Sequence, residues 1–390
     1  MSVYIHHIET SVPTIQGEQR ALLDRLKKIH EGDRKTQAIL HRIYQQSGIE
    51  NRHTVIEDYF SEDSDSFFNR CFNPEAIPTT GERNQRYEQA AKELFLKTAE
   101  QLIKQQKTAE LPEITHVITV SCTGFFAPGP DYEIVKKLGL PSSTQRFHVG
   151  FMGCYAAFPA LRMAHAFCAQ DPNAVVLIVA TELCSLHFSP KTDPDTLIAG
   201  SVFSDGSAGA LVSAIKPKGK GFELKGFAND LAYEGEQDMA WTIGDTGFDM
   251  TLSSYVPDII KQNLSTITDR LFTTFDIRQE HILDWAIHPG GRAILDKVEQ
   301  NLDLDSVQIQ ASRKVLQNYG NMSSATILFV LKELLEADWD HRLPLVQEPK
   351  LEQVQKLQDE QDPELSPLVL AMAFGPGLSI ESALLAKVKG

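Results

Sequence analysis

Apolar residues recur along this chain in two rhythms, and the rhythms divide it into short strands and helices. Ala174–Ala180 is an unbroken apolar run, and its length and β-branched content predict a strand buried on both faces. Ile114–Val120 predicts a second buried strand, closed by Ser121-Cys122-Thr123-Gly124. Val3-Tyr4-Ile5 with Ile8 and Val12 predicts a short opening strand, and residues 145–151 and Gly206–Ala214 predict two more. Trp285–His288 is a short strand running into Pro289-Gly290-Gly291. Leu368–Phe374 and Leu378–Ala386 form an apolar pair joined by Gly375-Pro376-Gly377. The helical rhythm is clearest over 84–107, where Ala90, Ala91, Leu94, Ala99 and Leu102 share a face. Helices are also expected over 17–47, 131–138, 154–170 and 323–337. Residues 61–83 read as polar surface loops, and 341–365 as an exposed charged loop with a helical portion.

Strands alternating with helices define an α/β protein. The 390 residues exceed what one compact core usually serves. The second half also repeats the style of the first, since Trp285–His288 meets a glycine-rich loop much as Val117–Val120 meets Gly124. An internal duplication is therefore expected, with halves at 1–225 and 226–390.

Composition narrows the partners. The net charge of −15 argues against nucleic acid and anionic membrane, though a local basic pocket can still hold a small anion. No apolar run reaches the roughly 18 residues of a membrane span. The five cysteines show no metal-like spacing, and no signal peptide is recognisable, so a reducing cytoplasmic setting is expected.

Three segments carry candidate chemistry. Cys154 follows Gly153 and precedes an apolar, small-residue helix, so its thiol is expected at a helix N-terminus, where amides and dipole favour thiolate. Free cysteines are among the most buried residue types, so alone Cys154 reads more readily as core. His288 ends an apolar strand, a usual place for working groups in open α/β sheets. Asn321 follows Gly320 at a helix start, where asparagine also serves as a simple cap. Gly206 and Gly209 look like a phosphate cradle, but they enter a strand rather than a helix, so tight backbone packing is the better reading.

Together these segments resemble the type III polyketide synthases, the chalcone and stilbene synthase-like enzymes of the thiolase superfamily. The resemblance runs from Ile49-Glu50-Asn51-Arg52 to Phe374-Gly375-Pro376-Gly377-Leu378, and the cysteine neighbourhood looks bacterial rather than plant-like. It implies a five-layered αβαβα thiolase fold and a homodimer. It also implies a Cys154, His288 and Asn321 triad that extends an acyl-CoA starter with malonyl-CoA, without metal or redox cofactor. Phe203 matches one gatekeeping phenylalanine, and Met250 stands at the second gate. Arg42 matches a basic residue that holds CoA phosphates, while its two usual basic neighbours are Ile39 and Gln46 here. Cys122, Thr123, Cys184, His187 and Ala127 fall at cavity positions that differ from the plant pattern. Ser323, Phe374, Gly375 and Pro376 fall at the substrate.

The resemblance leaves the product open. Ala127 and Cys184 point to a long fatty acyl starter, whereas Cys122 points to malonyl units alone; the lost bulk at Ala127 favours the former. The expected products are alkylpyrones, resorcinols or related aromatics. Rival readings are an initiating ketoacyl synthase served by acyl carrier protein, a cysteine thioester hydrolase, and a non-catalytic scaffold.

Overall fold

The computed structural model describes residues 1–61, 66–339 and 367–390; the charged stretch expected at 341–365 lies outside them. In chain order the strands are β1 (Tyr4–Ser11), β2 (Ile15–Glu18), β3 (Asn51–Thr54), β4 (His116–Ser121), β5 (Gln145–Gly150), β6 (Val175–Leu183), β7 (Asp205–Ser213), β8 (Lys220–Leu231), β9 (Met239–Gly244), β10 (Gly247–Leu252), β11 (Ile282–Ile287), β12 (Leu368–Gly375) and β13 (Ser379–Lys389). The helices are α1 (Gln19–Ile29), α2 (Arg34–Gln46), α3 (Phe67–Arg70), α4 (Thr80–Thr108), α5 (Pro130–Leu138), α6 (Ala157–Gln170), α7 (Pro194–Val202), α8 (Val256–Phe275), α9 (Arg292–Asn301), α10 (Gln310–Tyr319) and α11 (Thr326–Glu336).

Strand alternation builds the layers. In β6, Val175, Leu177 and Val179 pack outward with α1, α2, α4 and α5. Val176, Ile178 and Ala180 face a central layer that holds α6 and α11. In β12, Leu368, Leu370, Met372 and Phe374 pack outward with α8 and α9, while Val369, Ala371 and Ala373 face the same central layer. The period of two thus commits each strand to two helix layers, giving helix, sheet, helix, sheet, helix. Each fully buried Val or Leu contributes about 1.5–3 kcal/mol. This is the expected thiolase-like αβαβα fold.

Nine strands run continuously in the order β11-β12-β13-β8-β1-β7-β6-β4-β5. In the first half β4 is parallel to β6, β6 antiparallel to β7, and β7 antiparallel to β1. The second half repeats this: β11 is parallel to β12, β12 antiparallel to β13, and β13 antiparallel to β8. The halves join where Tyr4 and Ile5 pair with Glu223 and Phe222. The division expected between residues 225 and 226 falls inside β8. Equivalent elements place chemistry at equivalent points. Cys122 follows β4 as His288 follows β11, and Cys154 precedes α6 as Asn321 precedes α11.

Several local expectations shift. The helix expected over 17–47 becomes β2, α1 and α2, broken at Gly32 (φ +98°), with the Asp33 carboxylate accepting from the Thr36 amide at the start of α2. The Thr79–Glu82 capping box starts α4 at Thr80, within the expected loop region, which also contains α3. Helix α6 begins at Ala157, three residues beyond Cys154. No described helix is long and apolar enough to cross a membrane.

Gly206 and Gly209 are packing glycines, as expected. A Cβ on Gly206 would lie 2.3 Å from Met322 Sδ, and one on Gly209 would lie 2.4 Å from the Ile178 carbonyl oxygen in the neighbouring strand. Gly209→Ala should therefore destabilise the protein by about 1–3 kcal/mol through overpacking. Urea unfolding checks this, and an unchanged midpoint would count against the packing argument.

Candidate active site

The elbow before α6 is made by backbone reversal. Phe151 (φ +56°) and Gly153 (φ +87°) turn the chain after β5, and Cys154 follows, buried. A Cβ on Gly153 would lie 2.3 Å from Pro376 Cδ, and one on Gly375 would lie 2.4 Å from the Tyr155 ring. Only glycine at both points lets the β12–β13 turn close on the elbow. Phe374 and Pro376 are thereby brought to the cavity that Cys154 lines.

Asn321 is held by its backbone and by its amide. Its N–H donates to the Val202 carbonyl at 2.8 Å, and its own carbonyl accepts from the Ser204 N–H at 2.9 Å. The Ser323 N–H donates to Asn321 Oδ1 at 2.9 Å, and Nδ2 donates to the Gly290 carbonyl at 3.3 Å. The residue between Val202 and Ser204 is Phe203, so this bridge ties Phe203 to Asn321. Buried Arg52 secures the same segment, donating from Nη1 to the Phe203 and Gly200 carbonyls, each at 2.8 Å.

These segments wall a cavity. Cys154, Asn321 and Ser323 line it, with Cys122, Thr123 and Cys184 on one side and Phe203, Met250, Phe374 and Pro376 completing the wall. His288 is only 1% exposed and stands behind this lining. Among the described residues neither of its ring nitrogens makes a hydrogen bond. The Asn321 amide is nonetheless near enough to act on both partners, pulling the Cys154 thiol down and the His288 imidazole up. The predicted trio is therefore assembled at one place.

Burial opposes charge there. It pushes the Cys154 thiol up to about 11, against the hydrogen bonds of Ser323 and Asn321, with nearby Glu182 adding to the rise. Burial also drives His288 down to about 3. The thiolate expected at a helix end is thus not the form this buried site favours, because burial outweighs a helix that begins three residues away. Cys122 and Cys184 are raised well above the ordinary thiol range by the same cause.

Some expected positions lie elsewhere. Ala127 is exposed on the loop before α5 and lines neither this cavity nor its neighbour. Gly375 lies beneath the cavity lining rather than in it. Arg42 is exposed on α2. His187 lines an adjoining cavity that shares Cys184, Phe203 and Met250. It is a pin rather than a polar substrate contact. Its Nε2 donates to the Thr123 carbonyl at 2.7 Å, its Nδ1 accepts from the Phe248 N–H at 3.1 Å, and its ring stacks on Phe248 at 4.0 Å.

The hairpin β9–β10 was not foreseen, yet it delivers Met239, Trp241, Met250 and Leu252 to the wall. Trp241 Nε1 donates to the Cys122 carbonyl at 3.1 Å. Glu182 was also missed. Fully buried, it accepts from the Cys122 N–H at 2.9 Å, from Thr123 Oγ1 at 2.8 Å and from Ser324 Oγ. Its signal in the sequence is a carboxylate closing the apolar run of β6.

A duplicated αβαβα sheet with a cysteine-lined cavity at its seam is the architecture of thiolase-like acyltransferases. The profiles described as chalcone and stilbene synthases, N-terminal domain and C-terminal domain, match residues 3–216 and 223–389. The chain belongs to the chalcone and stilbene synthase family. It is 26% identical over 393 residues to "Probable polyketide synthase 1" of Dictyostelium discoideum, covering 99% of this chain but only 11% of that protein. Among solved structures it resembles PKS-I of the brown alga Ectocarpus siliculosus (TM-score 0.83, 25% identity, 100% of this chain and 99% of that one). It also resembles the C-terminal type III polyketide synthase domain of Steely1, a type I/III hybrid from Dictyostelium (TM-score 0.84, 26% identity, all of both chains). These relatives are an amoebal protein and an algal one, so the bacterial affiliation rests on the cysteine neighbourhood alone.

The His187 pin carries a pH signature. Burial lowers its pKa from 6.5 to about 3, so the folded state holds it neutral while the unfolded chain takes up a proton below 6.5. Its contribution to stability is complete above pH 6.5 and is lost progressively as pH falls toward 3, by up to about 1.4 kcal/mol per pH unit. Denaturant titrations of His187→Gln between pH 6 and 4 should therefore show a slope shallower than wild type by about one proton.

Proposed function

We propose that this chain is a type III polyketide synthase that extends an acyl-CoA starter by repeated decarboxylative condensation with malonyl-CoA. The observation that carries this reading is that Cys154 and Asn321 line one cavity with Phe203 and Met250, while His288 stands buried behind that lining within reach of the Asn321 amide. Cys154 Sγ attacks the starter thioester, the CoA sulfur leaves, and the proton given up by the thiol passes through His288 to that sulfur. Because His288 is neutral at rest, it serves both as proton acceptor and as an N–H donor.

Malonyl-CoA then loses CO2, and the electron pair of the broken bond becomes an enolate. His288 and Asn321 donate hydrogen bonds to its oxygen, each worth about 3–4 kcal/mol in a water-excluded site. The enolate carbon attacks the acyl-Cys154 carbonyl, forming a C–C bond and expelling the Cys154 sulfur. The steps require CoA thioesters and no metal or redox cofactor.

The starter we favour is a fatty acyl group, because Met239, Met250, Leu252 and Phe203 give the cavity a largely apolar wall. The products are then alkylpyrones, resorcinols or related aromatics. The reading carries with it a cytoplasmic homodimer, in which the exposed Ala127 loop reaches a second copy, and a bacterial-type cysteine neighbourhood.

With a panel of acyl-CoA starters and labelled malonyl-CoA, Cys154→Ala should form no acyl-enzyme and no extended product. Asn321→Ala should still take up the acyl group, visible by intact mass, while two-carbon extension slows about 10²–10³-fold. Extension by Cys154→Ala at the wild-type rate would overturn the proposal. Products lacking two-carbon increments would favour a thioester hydrolase, and activity confined to malonyl-carrier protein would favour an initiating ketoacyl synthase.

A further inference from the structure

We propose that Arg292 is a binding residue for the phosphates of the nucleotide-bearing thioester, working with Arg42 across the rim of the cavity; the inference rests on the synthase reading above. A chain of net charge −15 repels a polyanionic carrier, so the rim must supply local positive charge. On α2, two positions that the family resemblance makes basic are Ile39 and Gln46, which leaves Arg42 as the cation that the resemblance identifies there.

Arg292 lies where the cavity wall meets solvent. Gly290 and Ile294, on either side of it, line the cavity, yet the Arg292 side chain is 52% exposed. The segment therefore passes from cavity wall to surface within two residues of Gly290. The Arg292 stem packs on Gly48, the left-handed glycine just beyond α2, whose added Cβ would lie 3.4 Å from Arg292 Cβ and Cδ. Arg42 sits six residues earlier, about 9 Å along the helix axis. The gate is adjacent as well. A Cβ on Gly291 would lie 3.8 Å from Val202 Cγ1, and Tyr44 of α2 donates through its hydroxyl to the Gly200 carbonyl at 3.2 Å.

Among the described residues nothing claims the Arg292 charge strongly. It meets Asp296 through Nε at 3.4 Å in a solvent-exposed i,i+4 pair, while Arg313 Nη2 holds the same carboxylate at 2.8 Å. A planar guanidinium with room to reorient suits bidentate contact with a phosphate.

The test compares malonyl-CoA with its N-acetylcysteamine thioester, which keeps the reacting end but lacks the nucleotide. For Arg292→Ala, the ratio of kcat/KM for malonyl-CoA to that for the truncated thioester should fall about tenfold, chiefly through KM. Titration with free CoA should show weaker binding that depends less on salt than in wild type. Arg292→Lys should recover part of the loss, and Arg292→Glu should exceed it. An unchanged ratio in Arg292→Ala and Arg292→Glu overturns the assignment, as does an equal loss with both thioesters. If wild type binds CoA in an Arg292-dependent way yet extends neither thioester, this assignment stands and the synthase reading fails.

Discussion

Two pieces of backbone from opposite halves of the molecule must touch for this site to exist. Gly153 presses on Pro376, and Gly375 presses on Tyr155. A side chain at either glycine would push the β12–β13 turn away from the elbow. Phe374 and Pro376 would then leave the wall, and Cys154 would face water instead of a closed cavity.

That enclosure sets the electrostatics. A helix N-terminus and two hydrogen-bond donors favour a charged sulfur, but desolvation acts on the whole group and wins in this buried site. The same dryness keeps His288 neutral with both nitrogens unengaged among the described residues. An unpaired buried imidazole is costly to keep, and under the proposed mechanism a substrate oxygen or the cysteine proton would engage it. Glu182 beneath the site accepts from Ser121, Cys122, Thr123 and Ser324, so it braces these four residues while its negative charge disfavours thiolate nearby.

Much of this was legible from apolar rhythm and glycine placement. The runs at 114–120 and 174–180 became the buried strands β4 and β6, and the Gly153-Cys154 step became the elbow. The pairing of Cys154 with His288 and Asn321 came from motif order, because residues 134 and 167 positions apart carry no local sign of meeting. The hairpin β9–β10 escaped because its strands are short and half-exposed, so its apolar residues alternate weakly. Glu182 escaped because its partners lie about 60 and 140 residues away in sequence. His187 was visible as a residue near the cavity, but its role as a pin depends on Phe248 and Thr123, which only folding brings to its two nitrogens.

The backbone bridge between Phe203 and Asn321 has a consequence for how such a protein can diversify. Under the proposed reading, entry and rate are mechanically coupled on that side, since moving the Phe203 main chain would drag the Asn321 amide with it. Met250 is on a separate hairpin, fastened through Trp241 and Phe248 to carbonyl and ring partners rather than to the triad. Substrate breadth is therefore free to evolve on the hairpin while the Phe203 side stays fixed, so related chains should vary in β9–β10 long before they vary at the bridge.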